Sequence, residues 1–493
     1  MVLLSPMSNN PLKRLAGETA VYGLGTIIPR LLNYLLVPFY TYLVFNQNEY
    51  GQITELYSYI AFLVVFLTFG LETAYFRYAN QSSNPQKIFN TGFQFILLAA
   101  LTFIVLIWVF LDPLSTAMGY AAHPEYIMML VFIVAIDAIT ALPFAWLRFH
   151  RKAKTFSAIR VASVVINISS NILLLVVFPK VLAPDTSHYF PYYLTTNVGL
   201  VFVSNLIASL ATLLMVAPVL KAFTFNKDGV LLKKLLQYSL PVLVIGLAGM
   251  INEVADKILM KYLLPNPATA ESQLGIYGAN YKLAILMMLF IQMFRYAFEP
   301  FFFAEEKKRN SKIVYARVMN WFVAFVWLIF LGVTLNIDLF KYFVGPHFRA
   351  GLVIVPIILA AKLFLGIFYN LSVWYKLTNK TLYGAVIALL GASITIGLNI
   401  VLIPKYGYIG AAWANFACYF SMMVISYFWG RKIYPVPYNV GKVLIYSALA
   451  VFIYFAAGMI SLNNTAATIA INTLLILFFV GFVLITEKRR WFV

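Results

Sequence analysis

The sequence predicts an all-α integral membrane protein of about fourteen spanning helices. Three observations predict it: an apolar composition, a length that divides into spans, and a one-sided distribution of basic residues. Of the 493 residues, 62% are hydrophobic and 11% charged, and the mean hydropathy is +0.86. Soluble domains carry about 25% charged residues, so a water-soluble fold would expose more apolar surface than water tolerates. One span takes roughly 20 apolar residues, and about fourteen of them leave too little chain for a separate soluble domain.

Taken in order, apolar runs of spanning length lie at 15–42, 51–72, 88–111, 126–148, 156–179, 195–220, 238–262, 275–298, 315–338, 351–372, 381–403, 408–430, 440–460 and 465–486. Several are interrupted by Pro or Gly, as between Gly25 and Pro38 and between Pro241 and Gly249. A bilayer tolerates such breaks because neighbouring helices re-satisfy the freed backbone groups. They mark either loose packing points or the joints of a moving helix.

The loop charges orient these spans. On the side of the N-terminus fall 26 Lys and Arg residues, against five on the other side: Lys180, Lys261, Lys341, Arg349 and Lys405. Cytoplasmic loops carry the basic excess, so both termini are expected in the cytoplasm, which requires an even number of spans. The formal net charge of +19 is thereby explained without a nucleic-acid partner. Lys13 and Arg14 precede a stretch of full spanning length, so no cleavable signal is expected. Cys418 is the single cysteine, which excludes an intrachain disulfide.

The chain also repeats itself. Trp146 and Asn171 are matched by Trp374 and Asn399 at an offset of 228, with Arg148, Lys152, Ile166 and Ile168 matched by Lys376, Lys380, Ile394 and Ile396. At an offset of 224, Gly51 and Tyr57 match Gly275 and Tyr281. An offset of six helices preserves orientation, so two parallel six-helix lobes around a central cavity are expected, related by an axis along the membrane normal. The expected divisions are residues 1–222, 223–432 and 433–493, the last holding two additional helices.

Ionisable residues inside spans are costly, and they face a cavity or a partner. Arg30, with Asn33 one turn on, lies near the middle of the first span, too deep to snorkel. The seventh span carries Glu253, Asp256 and Lys257 at spacings that place them on one face, and Lys282 enters the eighth at a similar depth. Asp137 and Lys362 sit near the middle of the fourth and tenth spans. Arg295 and Glu299, one turn apart, and Glu72 and Arg77 lie at cytoplasmic span ends and are candidate gates. Each has two readings. Glu253 with Lys257, Asp256 with Lys282, or Asp137 with Lys362 either hold helices together as buried pairs or line a substrate path.

Catalytic constellations are missing. His123, His150, His188 and His347 fall in loops or at span ends without metal-ligand spacing, and no phosphate-binding loop of the Gly-x-x-x-x-Gly-Lys-Ser/Thr type occurs. The outward loop near 180–194 is too short for a glycosyl-transfer site. Transport is the better class, with no enzyme activity and no cofactor expected.

Local segments strengthen that reading. Glu49-Tyr50-Gly51, the run Leu274-Gly275-Ile276-Tyr277-Gly278-Ala279-Asn280-Tyr281-Lys282-Leu283, and Asn399-Ile400-Val401-Leu402-Ile403-Pro404 leading into Gly407-Tyr408-Ile409-Gly410-Ala411-Ala412-Trp413-Ala414 resemble recurring segments of one family. It is the polysaccharide transporter branch of the multidrug/oligosaccharidyl-lipid/polysaccharide exporter superfamily. The resemblance covers essentially the whole chain.

It implies a flippase for a polyprenyl-diphosphate-linked oligosaccharide in a bacterial inner membrane, serving O-antigen, capsule or exopolysaccharide assembly by alternating access. Its partners would be that lipid-linked substrate, membrane lipids and, among proteins, a glycan polymerase or glycosyltransferases. By position, Arg30 resembles the family's first-helix arginine, and Asp256, Lys257 and Lys282 resemble polar positions of its seventh and eighth helices. Substrate contact is therefore expected at Arg30, Asn33, Lys257, Lys282 and Lys362, with Asp137, Glu253 and Asp256 balancing charge or coupling to a proton or sodium ion. A drug or small-cation antiporter would gather acids where this chain has more cations, and a membrane glycosyltransferase or polymerase would need a larger outward loop. Both stand as alternatives.

Overall fold

The structure, a computed structural model, describes residues 11–177, 196–306, 308, 310–460 and 465–488. The loop near 180–194 with His188, and the charges Lys180, Lys307, Arg309, Arg489 and Arg490, lie outside the described residues. No strand occurs among those described.

Thirteen helices among them are long and apolar enough to cross a membrane. In chain order they are α1 (Gly23–Val44), α2 (Gln47–Ala79), α3 (Pro85–Val109), α4 (Pro124–Phe149), α5 (Ala153–Val177), α6 (Asn197–Ala222), α7 (Gly229–Leu263), α8 (Pro267–Tyr296), α9 (Ser311–Leu335), α10 (Pro346–Leu377), α11 (Thr381–Ile433), α12 (Val440–Gly458) and α13 (Ala466–Glu487). The difference from fourteen has one cause. α11 has 53 residues, which as a straight rod would be about 80 Å against an apolar bilayer core of about 30 Å. At Gly407 its backbone leaves helical geometry (φ 57°, ψ −139°), a region open essentially to glycine alone. Each arm is long enough to cross, so α11 supplies two crossings.

Local sequence explains where the helices begin. Asn84, Thr196, Asn266 and Asn439 each accept a hydrogen bond from a backbone N–H in the first turn that follows, satisfying donors that have no partner inside the helix. Pro85 and Pro267 occupy first-turn positions, where no intrahelical N–H is needed. Asn46 and Glu49 close α2 reciprocally, each side chain accepting from the other's backbone N–H at 3.0 Å, the arrangement of a capping box.

The chain divides into two compact units, Gln52–Met250 with the chain up to Tyr40, and Thr41–Gly51 with Ile251 onward. These divisions differ from the boundaries expected at 222 and 432: α7 is shared by both units, and α12 and α13 belong to the second. In the first unit α1 packs on α5, α6 on α4 and α5, and α3 on α4. In the second, α10 packs on α11, and α9 carries α10, α12 and α13. Lys442 and Glu487 tie α12 to α13 by a buried ion pair of 2.6 Å, which Tyr446 supports by donating to the same carboxylate at 2.8 Å. Large apolar side chains such as Trp108, Leu214 and Phe452 are more than 60% exposed, as lipid-facing residues are in the absence of lipid.

Each unit carries the same turn. In the first, Lys152 N–H donates to Leu147 O at 2.8 Å and Arg151 N–H to Arg148 O at 3.1 Å. In the second, Lys380 N–H donates to Tyr375 O at 2.8 Å and Asn379 N–H to Lys376 O at 3.3 Å. Arg151 and Asn379, 228 residues apart, both adopt positive φ (55° and 54°). The pattern is that of a Schellman helix end, formed twice at the offset read from the sequence. Asn171 and Asn399 likewise both donate to the carbonyl four residues earlier, of Asn167 and Thr395.

Candidate functional site

The second unit holds a dense buried charge cluster on α7, α8, α10 and α11. Glu253 accepts from Lys362 Nζ at 2.7 Å, from Tyr419 Oη at 2.9 Å and from Tyr281 Oη at 2.9 Å. Asp256 accepts from Tyr277 Oη at 2.5 Å and from the Lys257 backbone N–H at 2.8 Å, with Lys257 Nζ 3.2 Å away. Lys257 also donates to the Glu253 carbonyl at 2.7 Å and lies 3.9 Å from the centre of the Tyr281 ring. The Lys362 ammonium lies 4.9 and 4.8 Å from the Tyr281 and Tyr419 ring centres. Lys362 is fully buried, Asp256 is 1% exposed and Lys257 9%, while 34% of the Glu253 side chain remains accessible. Glu253 is thus the member of the cluster that an approaching ion or ligand can reach.

These pairings correct the sequence expectations. Glu253 pairs with Lys362 rather than with Lys257, because the Lys257 stem folds back onto its own helix to meet Asp256 and a backbone carbonyl. Asp256 does not pair with Lys282. The Lys282 side chain is exposed and has no hydrogen bond or ion pair among the described residues. Lys362 does not pair with Asp137 either: Asp137, in the first unit, accepts from Ser209 Oγ at 2.9 Å.

Also in the first unit, the side chains of Arg30 and Asn33 on α1 are exposed and make no hydrogen bond or ion pair among the described residues. Arg30 is within electrostatic reach of Arg160 on α5, which in turn feels Glu72, Asp137 and Arg148. The Arg160 guanidinium lies 3.9 Å from the centre of the Phe144 ring. Arg160 lies inside α5, which starts at Ala153.

Glu72 and Arg77 do not form a gate pair with each other. Five residues apart on a helix, they point about 140° away from one another. Glu72 accepts instead from Arg148 on α4, and Arg77 lies 4.3 Å from the centre of the Tyr238 ring. In the second unit Arg295 stacks at 4.2 Å on Tyr369; the side chain of Glu299 lies outside the described residues.

The sequence reading missed the three tyrosines. Tyr277 and Tyr281, four apart on α8, present one face in the way that Glu253 and Lys257 do on α7, and that shared spacing was the available signal. Tyr419 had none, since nothing local distinguishes it from the other 31 tyrosines of the chain.

The family model for polysaccharide biosynthesis proteins matches residues 15–305, more than half of the chain. The chain belongs to this family, within the multidrug/oligosaccharidyl-lipid/polysaccharide exporter superfamily. Among solved structures, "Lipid II flippase MurJ, inward closed conformation" is similar with a TM-score of 0.74 at 14% identity, covering 96% of this chain and 100% of that one. A multidrug resistance MATE family transporter is similar in its inward-facing conformation (TM-score 0.62, 14% identity, 84% and 97% covered) and its outward-facing conformation (0.59, 13%, 86% and 96%). At such identities these likenesses show the fold. No curated protein matches the sequence. This member of the polysaccharide biosynthesis family is therefore a multi-pass membrane protein with the fold of flippases and exporters.

Proposed function

We propose that the protein flips a polyprenyl-diphosphate-linked oligosaccharide from the cytoplasmic to the outer leaflet of a bacterial inner membrane, by alternating access, for O-antigen, capsule or exopolysaccharide assembly. The observation that carries this reading is Arg30: a mid-span guanidinium, exposed and without a hydrogen-bond or ion-pair partner among the described residues. Carrying a sugar diphosphate through hydrocarbon strips water from anionic oxygens and hydroxyls. A guanidinium replaces that water with two parallel charge-assisted bonds.

Asn33, one turn away, supplies a neutral donor and acceptor for hydroxyls, and exposed Lys282 a second cation. Lys257 and Lys362 are held by acids, so in this reading they act through Asp256 and Glu253. Partly accessible Glu253 is the carboxylate at which a proton or sodium ion would compete with Lys362. Asp137 balances the cations of the first unit. The excess of Lys and Arg in the loops on the N-terminal side supports a cytoplasmic position for both termini, and a glycan polymerase or glycosyltransferases are the proposed protein partners.

The test is Arg30→Ala, scored by glycan display in cells. Display should be lost at unchanged protein level, because an exposed side chain carries no packing, and Arg30→Lys should retain part of it, since Lys keeps the charge but not the fork. Normal display in the alanine protein would overturn the proposal.

A further inference from the structure

Arg160 on α5 is exposed and makes no hydrogen bond or ion pair among the described residues. Its guanidinium lies 3.9 Å from the centre of the Phe144 ring and 5.8 Å from that of Phe156. Both rings are buried, so the head group rests on the packed wall of the first unit instead of pointing into lipid. Such a contact fixes a guanidinium without supplying an acceptor for its five N–H donors. Charged groups from three other helices are within its electrostatic reach: Arg30 on α1, Glu72 on α2, and Asp137 and Arg148 on α4.

The acids of this group are already engaged. Glu72 accepts from Arg148, and Asp137 accepts from Ser209 Oγ at 2.9 Å. Among the described residues, three guanidinium groups thus share the region with two carboxylates, and the surplus positive charge rests on Arg30 and Arg160. These two stand at nearly one height. α1 and α5 run parallel, since Gly25 abuts Ser157 and Tyr40 Oη donates to Asn171 at 2.7 Å, offsets of 132 and 131 residues. On that register Arg30 is level with residues 161–162, within about one helical turn of Arg160.

Two exposed guanidinium groups at one height make a two-point anion site. A fork on each matches one phosphoryl group apiece, and a diphosphate is the anion that offers a pair of them. We infer that Arg160 binds one phosphoryl group of a lipid diphosphate while Arg30 binds the other, so that the site selects a carrier diphosphate over a carrier monophosphate. The inference rests on the function proposed above and adds to it the residue that sets the phosphate count.

The experiment measures binding of farnesyl diphosphate and farnesyl monophosphate to the purified full chain in detergent, beside glycan display in cells. The parent should hold the diphosphate about tenfold more tightly, the worth of one charge-assisted contact. In Arg160→Gln that ratio should fall to about one at unchanged monophosphate affinity, and display should fall with it. Arg160→Lys, which keeps the charge but not the fork, should lie between. Lys154→Gln removes an exposed cation from the first turn of the same helix and should leave ratio and display as in the parent. A merely structural Arg160 would instead weaken both ligands alike and lower the melting temperature, which would overturn the inference. So would a parent ratio of about one, or an undiminished ratio in Arg160→Gln. The inference and the function it rests on fail separately. An undiminished ratio in Arg160→Gln with display lost in Arg30→Ala rejects only the role of Arg160. Normal display in Arg30→Ala rejects the export reading and leaves the ratio to judge Arg160.

Discussion

Gly51 and Gly275 contact each other's helix reciprocally: a Cβ on Gly51 would strike the carbonyl of Glu271, and a Cβ on Gly275 would strike the carbonyl of Gln47. Each glycine meets the residue four places before the other, so the 224-residue offset of the sequence repeat is also the geometry of one backbone crossing. Ser272 adds a 2.8 Å hydrogen bond to Gln47. Backbone atoms cannot move aside as a side-chain end can. Gly51→Ala or Gly275→Ala should therefore destabilise by about 1–3 kcal/mol, in the range of overpacked cores. Thermal unfolding in detergent checks it, with Gly249→Ala, whose Cβ would meet nothing within 4 Å, as the control that should be silent.

The Glu253–Lys362 pair predicts an asymmetry. Breaking a buried pair costs roughly 3–5 kcal/mol because one charge is left uncompensated. Glu253→Gln strands a fully buried ammonium, whereas Lys362→Met strands a carboxylate that is 34% accessible and still receives two tyrosine hydroxyls. The first variant should be the less stable of the two, and the double variant should recover most of the loss. Equal costs in the single variants would show that the burial difference carries no energy.

Near the opposite end of the molecule's polarity scale, Asp228 lies outside the spans, 2.7 Å from Lys87, and accepts from the Leu231 backbone N–H as α7 begins. The hydrogen bond from Lys87, then that from Leu231, lowers its pKa below the ordinary carboxylate value. A group depressed on folding stabilises above its unfolded pKa of about 3.9 and ceases to do so as pH falls through the folded value. Asp228→Asn should thus lower the melting temperature equally at pH 7 and pH 6, and the gap to the parent should close in acid below about pH 4.

Orientation is open to labelling. Cys418 is fully buried, and Cys418→Ser gives a cysteine-free background. In it, Ala122→Cys should react with an impermeant thiol reagent added to intact cells, while Lys308→Cys should react only after permeabilisation. Both positions are exposed. The reverse result would invert the topology read from the basic loops.

What was legible in the sequence follows from what is local. Spans show as runs of apolar residues, and the break between the arms of α11 shows as Pro404 with Gly407. The repeat shows as matched residues, and it located two turns whose positive φ no sequence rule would assign to an arginine. The charge partners were not legible, because Lys362 meets Glu253 across 109 residues and Tyr419 meets it across 166. Which acid a buried lysine finds depends on the rotation of facing helices, and intrahelical spacing carries no information about that. Lys257 illustrates the point: spacing offered it Glu253, and its flexible stem took the adjacent Asp256.

The turn at Gly407 also bears on how the chain enters the bilayer. A cellular insertion apparatus reads greasy segments one after another and stops at polar breaks, and between the arms of α11 the break amounts to Lys405 and a few neighbours. Two spans joined so tightly have to be delivered together, as a unit whose joint carries the single positive charge of Lys405. A side chain at Gly407 that forbids the reversal would present the apparatus with one over-long rod. The damage would then arise at biosynthesis, before any transport could be measured.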